Sequence, residues 1–261
     1  MRDTLKKVCD IAKRAGQVQI EHFGNVRHVA YKGAIDLVTE VDKECETLIV
    51  EELQKAFPKD DILAEEGSGK RHDSRRRWIV DPLDGTVNFT HGFPFFCTSI
   101  ALEVNGQLDL GVIYDPNRDE MFSAARGSGA RLNERSISVS KVPELGHALL
   151  ATGFAYNVRE ESRLDNLDNF SRFIKRARAI RRPGSAAIDL AWIACGRIDG
   201  FWELFLKSWD MAAGVCIIRE AGGMVSSFDG SPYNVYGTQI LASNGLIHNE
   251  MMHVLSMGNK K

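Results

Sequence analysis

The chain has 261 residues, 44% of them hydrophobic and 26% charged, with a formal net charge of −2 at pH 7. Such usage excludes a disordered chain, and the near-neutral balance removes the electrostatic case for nucleic acid or an anionic membrane as main partner. There is no apolar run of the ~18 residues a membrane span needs, no signal-peptide core at the start, and no Cys-x-x-Cys among five dispersed cysteines, so a reducing, cytoplasmic setting is expected.

Leu5, Val8, Cys9, Ala12, Ala15 and Phe23 recur at helical spacing and predict a helix over 3–24, stopped by Gly24. Two extended segments, 29–33 and 35–38, follow around a turn. A second helix starts at Thr39, with Val41, Cys45, Leu48, Ile49 and Ala56 on one face. Asp42 stands three residues after Thr39, as in a capping box. Asp61-Ile62-Leu63-Ala64 reads as a strand that ends in Glu65-Glu66-Gly67. The basic run 70–77 reads as a mobile surface loop. Trp78-Ile79-Val80 reads as a buried strand stopping at Asp81-Pro82, and Asp84-Gly85-Thr86 as a tight turn into a new element. From Phe95 onward the pattern is a meander: a strand to Val104, an Asn105-Gly106 hairpin turn, a return strand to Tyr114, a turn at 115–118, a strand over 120–125 and a loop at 127–130.

The texture changes near 142. Strands are predicted over 149–153, 179–181, 200–205, 224–228 and 239–242. Helices are predicted over about 160–175, 186–195, from an Asp210 cap to Ala221, and from about Leu246. Alternating strands and helices make the second part mixed α/β. The fold class is therefore α/β of the mixed α+β kind, with an antiparallel sheet in a half spanning 1–142 and a mixed sheet in a half spanning 143–261.

Asp42, Glu65, Asp81, Asp84 and Asp210 each fall at a strand end or a helix start, where α/β proteins place ligands. Converging carboxylates repel one another and need cations. Oxygen donors without clustered His or Cys select a hard ion such as Mg²⁺. Backbone N–H groups of Gly85 and Thr86 can receive a phosphate. A divalent cation beside a phosphate ester makes a hydrolysis site. Two mechanisms compete. Asp-x-Asp-Gly-Thr phosphatases attack with the first aspartate, but Asp81-Pro82-Leu83-Asp84-Gly85-Thr86 is one residue longer, which breaks that register. The other is direct attack by activated water, with Thr86 and Asp42 as candidate proton acceptors.

Three stretches in order resemble the inositol monophosphatase family of Mg²⁺-dependent, lithium-sensitive phosphatases: Leu63-Ala64-Glu65-Glu66-Gly67, Trp78 to Phe89, and Trp209-Asp210-Met211-Ala212-Ala213-Gly214 running to Glu220-Ala221-Gly222-Gly223. The detail around Arg181-Arg182-Pro183-Gly184-Ser185-Ala186 is similar to the bacterial branch. The resemblance implies a layered αβαβα sandwich of the sugar-phosphatase type, a homodimer, and two to three Mg²⁺ ions. It implies metal ligation by Glu65, Asp81, the Leu83 carbonyl, Asp84 and Asp210. It assigns catalysis to Thr86 paired with Asp42, with Glu65 beside a weaker third ion. Phosphate would meet Gly85 and Thr86, and the inositol would meet Asp84, Gly184, Ser185, Ala186 and Glu203. Lys32 matches a basic position near the metals. Arg182 is either a substrate contact or a structural ion pair. The expected reaction is hydrolysis of myo-inositol monophosphate. Fructose-1,6-bisphosphatase, histidinol-phosphatase and 3′-phosphoadenosine phosphatase activities stay open within the same chemistry. A regulatory protein associated with RNA or transcription is the alternative of a different class, favoured by the arginine clusters at 75–77 and 176–182.

Overall fold

The computed structural model describes residues 1–25, 29–31, 37–154 and 166–257. The helices are α1 (Arg2–His22), α2 (Glu40–Ala56), α3 (Thr86–Thr90), α4 (Leu167–Ile174), α5 (Ala186–Ala194), α6 (Ser208–Glu220) and α7 (His248–Ser256). A small antiparallel ribbon joins β1 (Val29–Tyr31) and β2 (Leu37–Thr39). One sheet runs in sequence order through β3 (Asp61–Ala64), β4 (Arg76–Asp84), β5 (Cys97–Val104), β6 (Gln107–Asp115), β7 (Glu120–Ala125), β8 (Ala130–Leu132) and β9 (Arg135–Ile137). It is antiparallel except for the edge pair β3–β4, which is parallel, where a wholly antiparallel sheet was expected. The other contains β10 (Leu149–Thr152), β11 (Ala179–Arg181), β12 (Gly200–Leu204), β13 (Met224–Ser226) and β14 (Gln239–Ser243), in the order β11-β10-β12-β14-β13. Its β11, β10 and β12 are parallel to one another; β14 and β13 complete it antiparallel.

Alternation along the central strands builds the layers, because successive side chains leave a strand on opposite faces. Trp78, Val80, Ile100 and Leu102 pack with residues of α1 and α2, whereas Ile79 and Ala101 between them pack with α5 and α6. In the second sheet Ala151, Phe201, Ile240 and Ala242 face α5 and α6, and Leu150, Trp202 and Leu241 face the α4 and α7 side. The result is helix, sheet, helix, sheet, helix. The middle helices are covered on both sides, so they are apolar nearly all round: Ala187, Ile188, Leu190, Ala191, Ile193 and Ala194 of α5 are all buried. At Gly214 of α6 a Cβ would lie 2.5 Å from that of Leu190, so only glycine allows the two helices this close. On the outer side Trp202 is fully buried, stacks on Phe173 at 4.0 Å, and donates its indole N–H to Asn166 at 2.7 Å. Truncating it to alanine would cost about 3–5 kcal/mol.

Four local readings need correction. Strand β4 does not stop at Asp81-Pro82. Asp81 pairs with Ser99 and Asp84 with Cys97, so four residues face three, and the ladder resumes after a bulge. Strands β8 and β9 fall just after the loop expected at 127–130, where no strand was expected; each has three residues, too few to display alternation. Their turn uses Asn133 and Glu134 at φ 45° and 67°, a hairpin without the usual glycine. Arg76 and Arg77 are strand residues, not a mobile loop, because Asp60 and Asp61 bind their guanidinium groups at 3.0 and 3.5 Å. Asp210 is the third residue of α6 and not its cap. The expected helix over 160–175 is described only as α4, since 155–165 lie outside the described residues.

Candidate active site

The Asp81–Asp84 bulge is the floor of the site. The bulge leaves backbone groups to be satisfied. Asp81 Oδ1 accepts the Leu83 N–H at 3.0 Å, and buried Gln19 donates its Nε2 to the Pro82 carbonyl at 2.7 Å. The Leu83 side chain is driven into the core with Phe89 and Phe96, leaving its carbonyl at the site. Gly85 then takes φ 99°, and a Cβ there would approach the Phe95 carbonyl to 2.8 Å. No other residue makes this turn without strain.

Asp210 arrives from the second half at the start of α6 and accepts the Lys207 N–H at 2.7 Å. One carboxylate oxygen each from Asp81, Asp84 and Asp210 lies within 4.8 Å of the others. Asp84 is also bonded to α5: its Oδ2 accepts the Ser185 hydroxyl and the Ala187 N–H, both at 2.7 Å. These bonds pin the first turn of α5 onto β4. The Asn88 amide adds a bond to the Pro183 carbonyl at 2.9 Å, which holds the turn at Gly184.

Asp42 serves two masters. One oxygen accepts the Thr39 backbone N–H at 2.9 Å and the Thr39 hydroxyl, completing the expected capping box on α2. The other accepts the Thr86 hydroxyl at 2.9 Å, and that hydroxyl also lies 3.1 Å from the Leu83 carbonyl. The expected pairing of Thr86 with Asp42 is therefore present. Asp42 itself is only 1% exposed.

Charge crowding is severe. Burial raises Asp81 well above the usual carboxylate range, and Glu65, Asp84 and Asp210 add to it. Burial likewise raises Asp84 to about 6, against the opposing Ser185 and Ala187 bonds. Asp210 is raised by burial and by Asp84, in spite of its Lys207 bond. Glu65 adds its charge to both Asp81 and Asp210, so it stands within electrostatic reach of the three clustered carboxylates. Cys97 lies close by, 3.7 Å from the Ser185 hydroxyl, but burial pushes its thiol up and keeps it neutral. The usable donors are oxygens, and an oxygen set fits a hard divalent cation.

Glu203, which a Phe-Trp-Glu-Leu-Phe strand would ordinarily turn to solvent, is buried. A Cβ on Gly153 would collide with both of its carboxylate oxygens. The charges acting on Glu203 are those of Asp210, exposed Arg182 and Asp84, so it lies within electrostatic reach of the acid cluster. Lys32 lies outside the described residues.

Three participants escaped the sequence reading. Gln19 supports the bulge from α1. Glu46, 1% exposed, accepts the N–H of Glu66 at 2.6 Å and of Ser68 at 2.8 Å, gripping the loop that carries Glu65. Its signal was available: Glu46 follows Asp42 by four residues and shares its helix face. Asp189 of α5 is buried and feels the charges of Glu203, Asp84 and Arg182. Two cavities, of about 530 and 470 Å³, lie elsewhere and contain none of these acids.

The profile of the family described as "Inositol monophosphatase family" matches residues 1–257. An "Inositol-1-monophosphatase" of Synechocystis is 45% identical over 93% of this chain and 85% of its own. A Pseudomonas aeruginosa protein named "Nus factor SuhB" is 43% identical over 94% of this chain and 92% of its own. The solved inositol monophosphatase of Anabaena superposes with a TM-score of 0.90 at 40% identity, covering 98% of this chain and 96% of that one. With profile, relatives and fold in agreement over nearly its whole length, the chain belongs to the inositol monophosphatase family.

Proposed function

We propose that the protein is a Mg²⁺-dependent phosphomonoesterase that hydrolyses myo-inositol monophosphate to inositol and phosphate. The observation that carries this reading is the convergence of Asp81, Asp84 and Asp210 within 4.8 Å, beside the Thr86–Asp42 hydrogen bond. Glu65, Asp81, the Leu83 carbonyl, Asp84 and Asp210 would hold two to three ions. Bound there, Mg²⁺ supplies positive charge to the phosphoryl group and the departing oxygen. The chain's own residues do the rest. With one Asp42 oxygen occupied by Thr39, the other holds the Thr86 hydroxyl hydrogen, so the Thr86 oxygen is left to accept from a water and aim it at phosphorus. Burial, which raises Asp42 against its hydrogen bonds, makes it a better proton acceptor near neutrality. The water oxygen forms the new P–O bond as the ester P–O bond breaks, with no phospho-enzyme. Gly85 and Thr86 N–H groups would hold the phosphate, and Gly184, Ser185, Ala186 and Glu203 the ring.

The proposed setting is a cytoplasmic homodimer; no helix among the described residues is long and apolar enough to cross a membrane. The relative named a Nus factor supports a second reading, association with transcription machinery. The test is a Mg²⁺-dependent phosphate-release screen over inositol 1-phosphate, fructose 1,6-bisphosphate, histidinol phosphate and 3′-phosphoadenosine phosphate. Fastest turnover of inositol 1-phosphate is expected. Preference for another ester would reassign the substrate. Silence on all four, with tight binding to transcription proteins, would favour the second reading.

A further inference from the structure

Asp189 is a carboxylate in a place that asks for a hydrocarbon. Its helix, α5, is buried on every side, and Asp189 is itself 2% exposed. Its Oδ1 is buried with no hydrogen-bond partner. A buried acceptor left unmet costs stability and returns nothing to the fold. The position is not random. Asp189 lies one helical turn beyond Ser185, on the same face, and Ser185 is bonded to Asp84. The charges that act on it are Glu203 first, then Asp84 and Arg182. Asp189 therefore lies within electrostatic reach of both the acid cluster and Glu203. A phosphate would be repelled by this pair of carboxylates. What they lack is hydrogen-bond donors, and a polyhydroxylated alcohol brings several.

We propose that Asp189 is a specificity-determining residue, a second acceptor beside Glu203 for the hydroxyl groups of a polyol leaving group. This rests on the phosphatase reading above. Each hydroxyl donated to a buried carboxylate favours a polyol ester over an ester whose alcohol has no hydroxyls.

The test uses the full-length Mg²⁺-loaded enzyme and its Asp189→Asn and Asp189→Leu variants. The readouts are kcat/KM on myo-inositol 1-phosphate, phenyl phosphate and histidinol phosphate, together with Tm. The ratio of inositol ester to phenyl ester is expected to fall up to ~10-fold with leucine, the scale of a lost hydrogen bond. Asparagine, which keeps an acceptor oxygen and the shape, should lose less. Its Tm should stay within a few degrees of wild type, because the amide keeps the shape of the buried group and its unmet acceptor. An unchanged ratio in both variants would overturn the proposal. So would a lowered Tm in the asparagine variant with equal losses on all esters, the signature of a structural role. A loss confined to histidinol phosphate would replace the polyol by an amino alcohol. If the wild type hydrolyses none of the three, the phosphatase reading fails and takes the proposal with it.

Discussion

Replacing Thr86 by valine removes one hydroxyl and keeps the β-branched shape, so it isolates what that hydroxyl does. The bond lost to the fold is the one to Asp42 at 2.9 Å, with its 3.1 Å contact to the Leu83 carbonyl. Asp42 keeps both donors from Thr39, and the cap of α2 survives. One hydrogen bond is worth about 0.5–1.5 kcal/mol net, and in a chain of this size each kcal/mol moves Tm by only ~2–4 °C. Losing the residue that orients and deprotonates the water should instead lower kcat by ~10²–10⁴, or about 2.7–5.4 kcal/mol of barrier. The assay is phosphate release at saturating Mg²⁺ and inositol 1-phosphate, alongside Tm and calorimetric Mg²⁺ binding. A kcat within fivefold of wild type would refute the Thr86–Asp42 assignment. A collapse of Tm in step with activity would refute the claim that the hydroxyl is catalytic and not structural.

Glu46→Ala should release the Glu66 and Ser68 N–H groups and loosen the loop that carries Glu65; Mg²⁺ affinity by calorimetry should then fall ~10–100-fold, as for lost supports of metal ligands, and unchanged affinity would show that the grip is irrelevant to the metals. The metal-free protein should also have a distinctive pH dependence. Asp84 is raised from 3.8 to about 6 in the folded state, so between those values the folded chain binds more protons than the unfolded one, and stability falls as pH rises. Wild type should lose about 2 kcal/mol relative to Asp84→Asn between pH 4 and 6.5 without metal; a difference independent of pH would contradict the burial of an ionised Asp84.

Legibility in the sequence followed the range of the interaction. The Thr39–Asp42 cap spans three residues, and residue types alone announce it; the antiparallel meander is announced by Asn105-Gly106 and alternation. Asp81 and Asp84 were visible as candidates because an apolar strand running into Asp-Pro has few other readings. The bulge that carries them was not, since a bulge is set by the partner strand and by Gln19 from α1. Asp210 was read as a cap because caps and third helical positions both favour aspartate; only the backbone separates them. Glu203 was assigned by resemblance, against a local pattern that would expose it, and its burial depends on a glycine 50 positions earlier in the chain. Asp189 was invisible, because a single acid in an apolar helix carries no periodic signal. The division at 142 marks a change of texture, yet α6 of the second half packs on β4, β5, β6 and β7 of the first. The site needs both halves for the same reason: Asp84 is bonded to Ser185, and Asp210 completes the cluster.

The central claim is that these carboxylates gather Mg²⁺ in order to hydrolyse a phosphate monoester. Phosphate release from myo-inositol 1-phosphate, followed with Mg²⁺, after EDTA and after Mg²⁺ is restored, tests it most directly. The account predicts turnover with Mg²⁺, its loss on chelation and its full return. Turnover indifferent to EDTA, or an absence of turnover at any Mg²⁺ concentration, would contradict it.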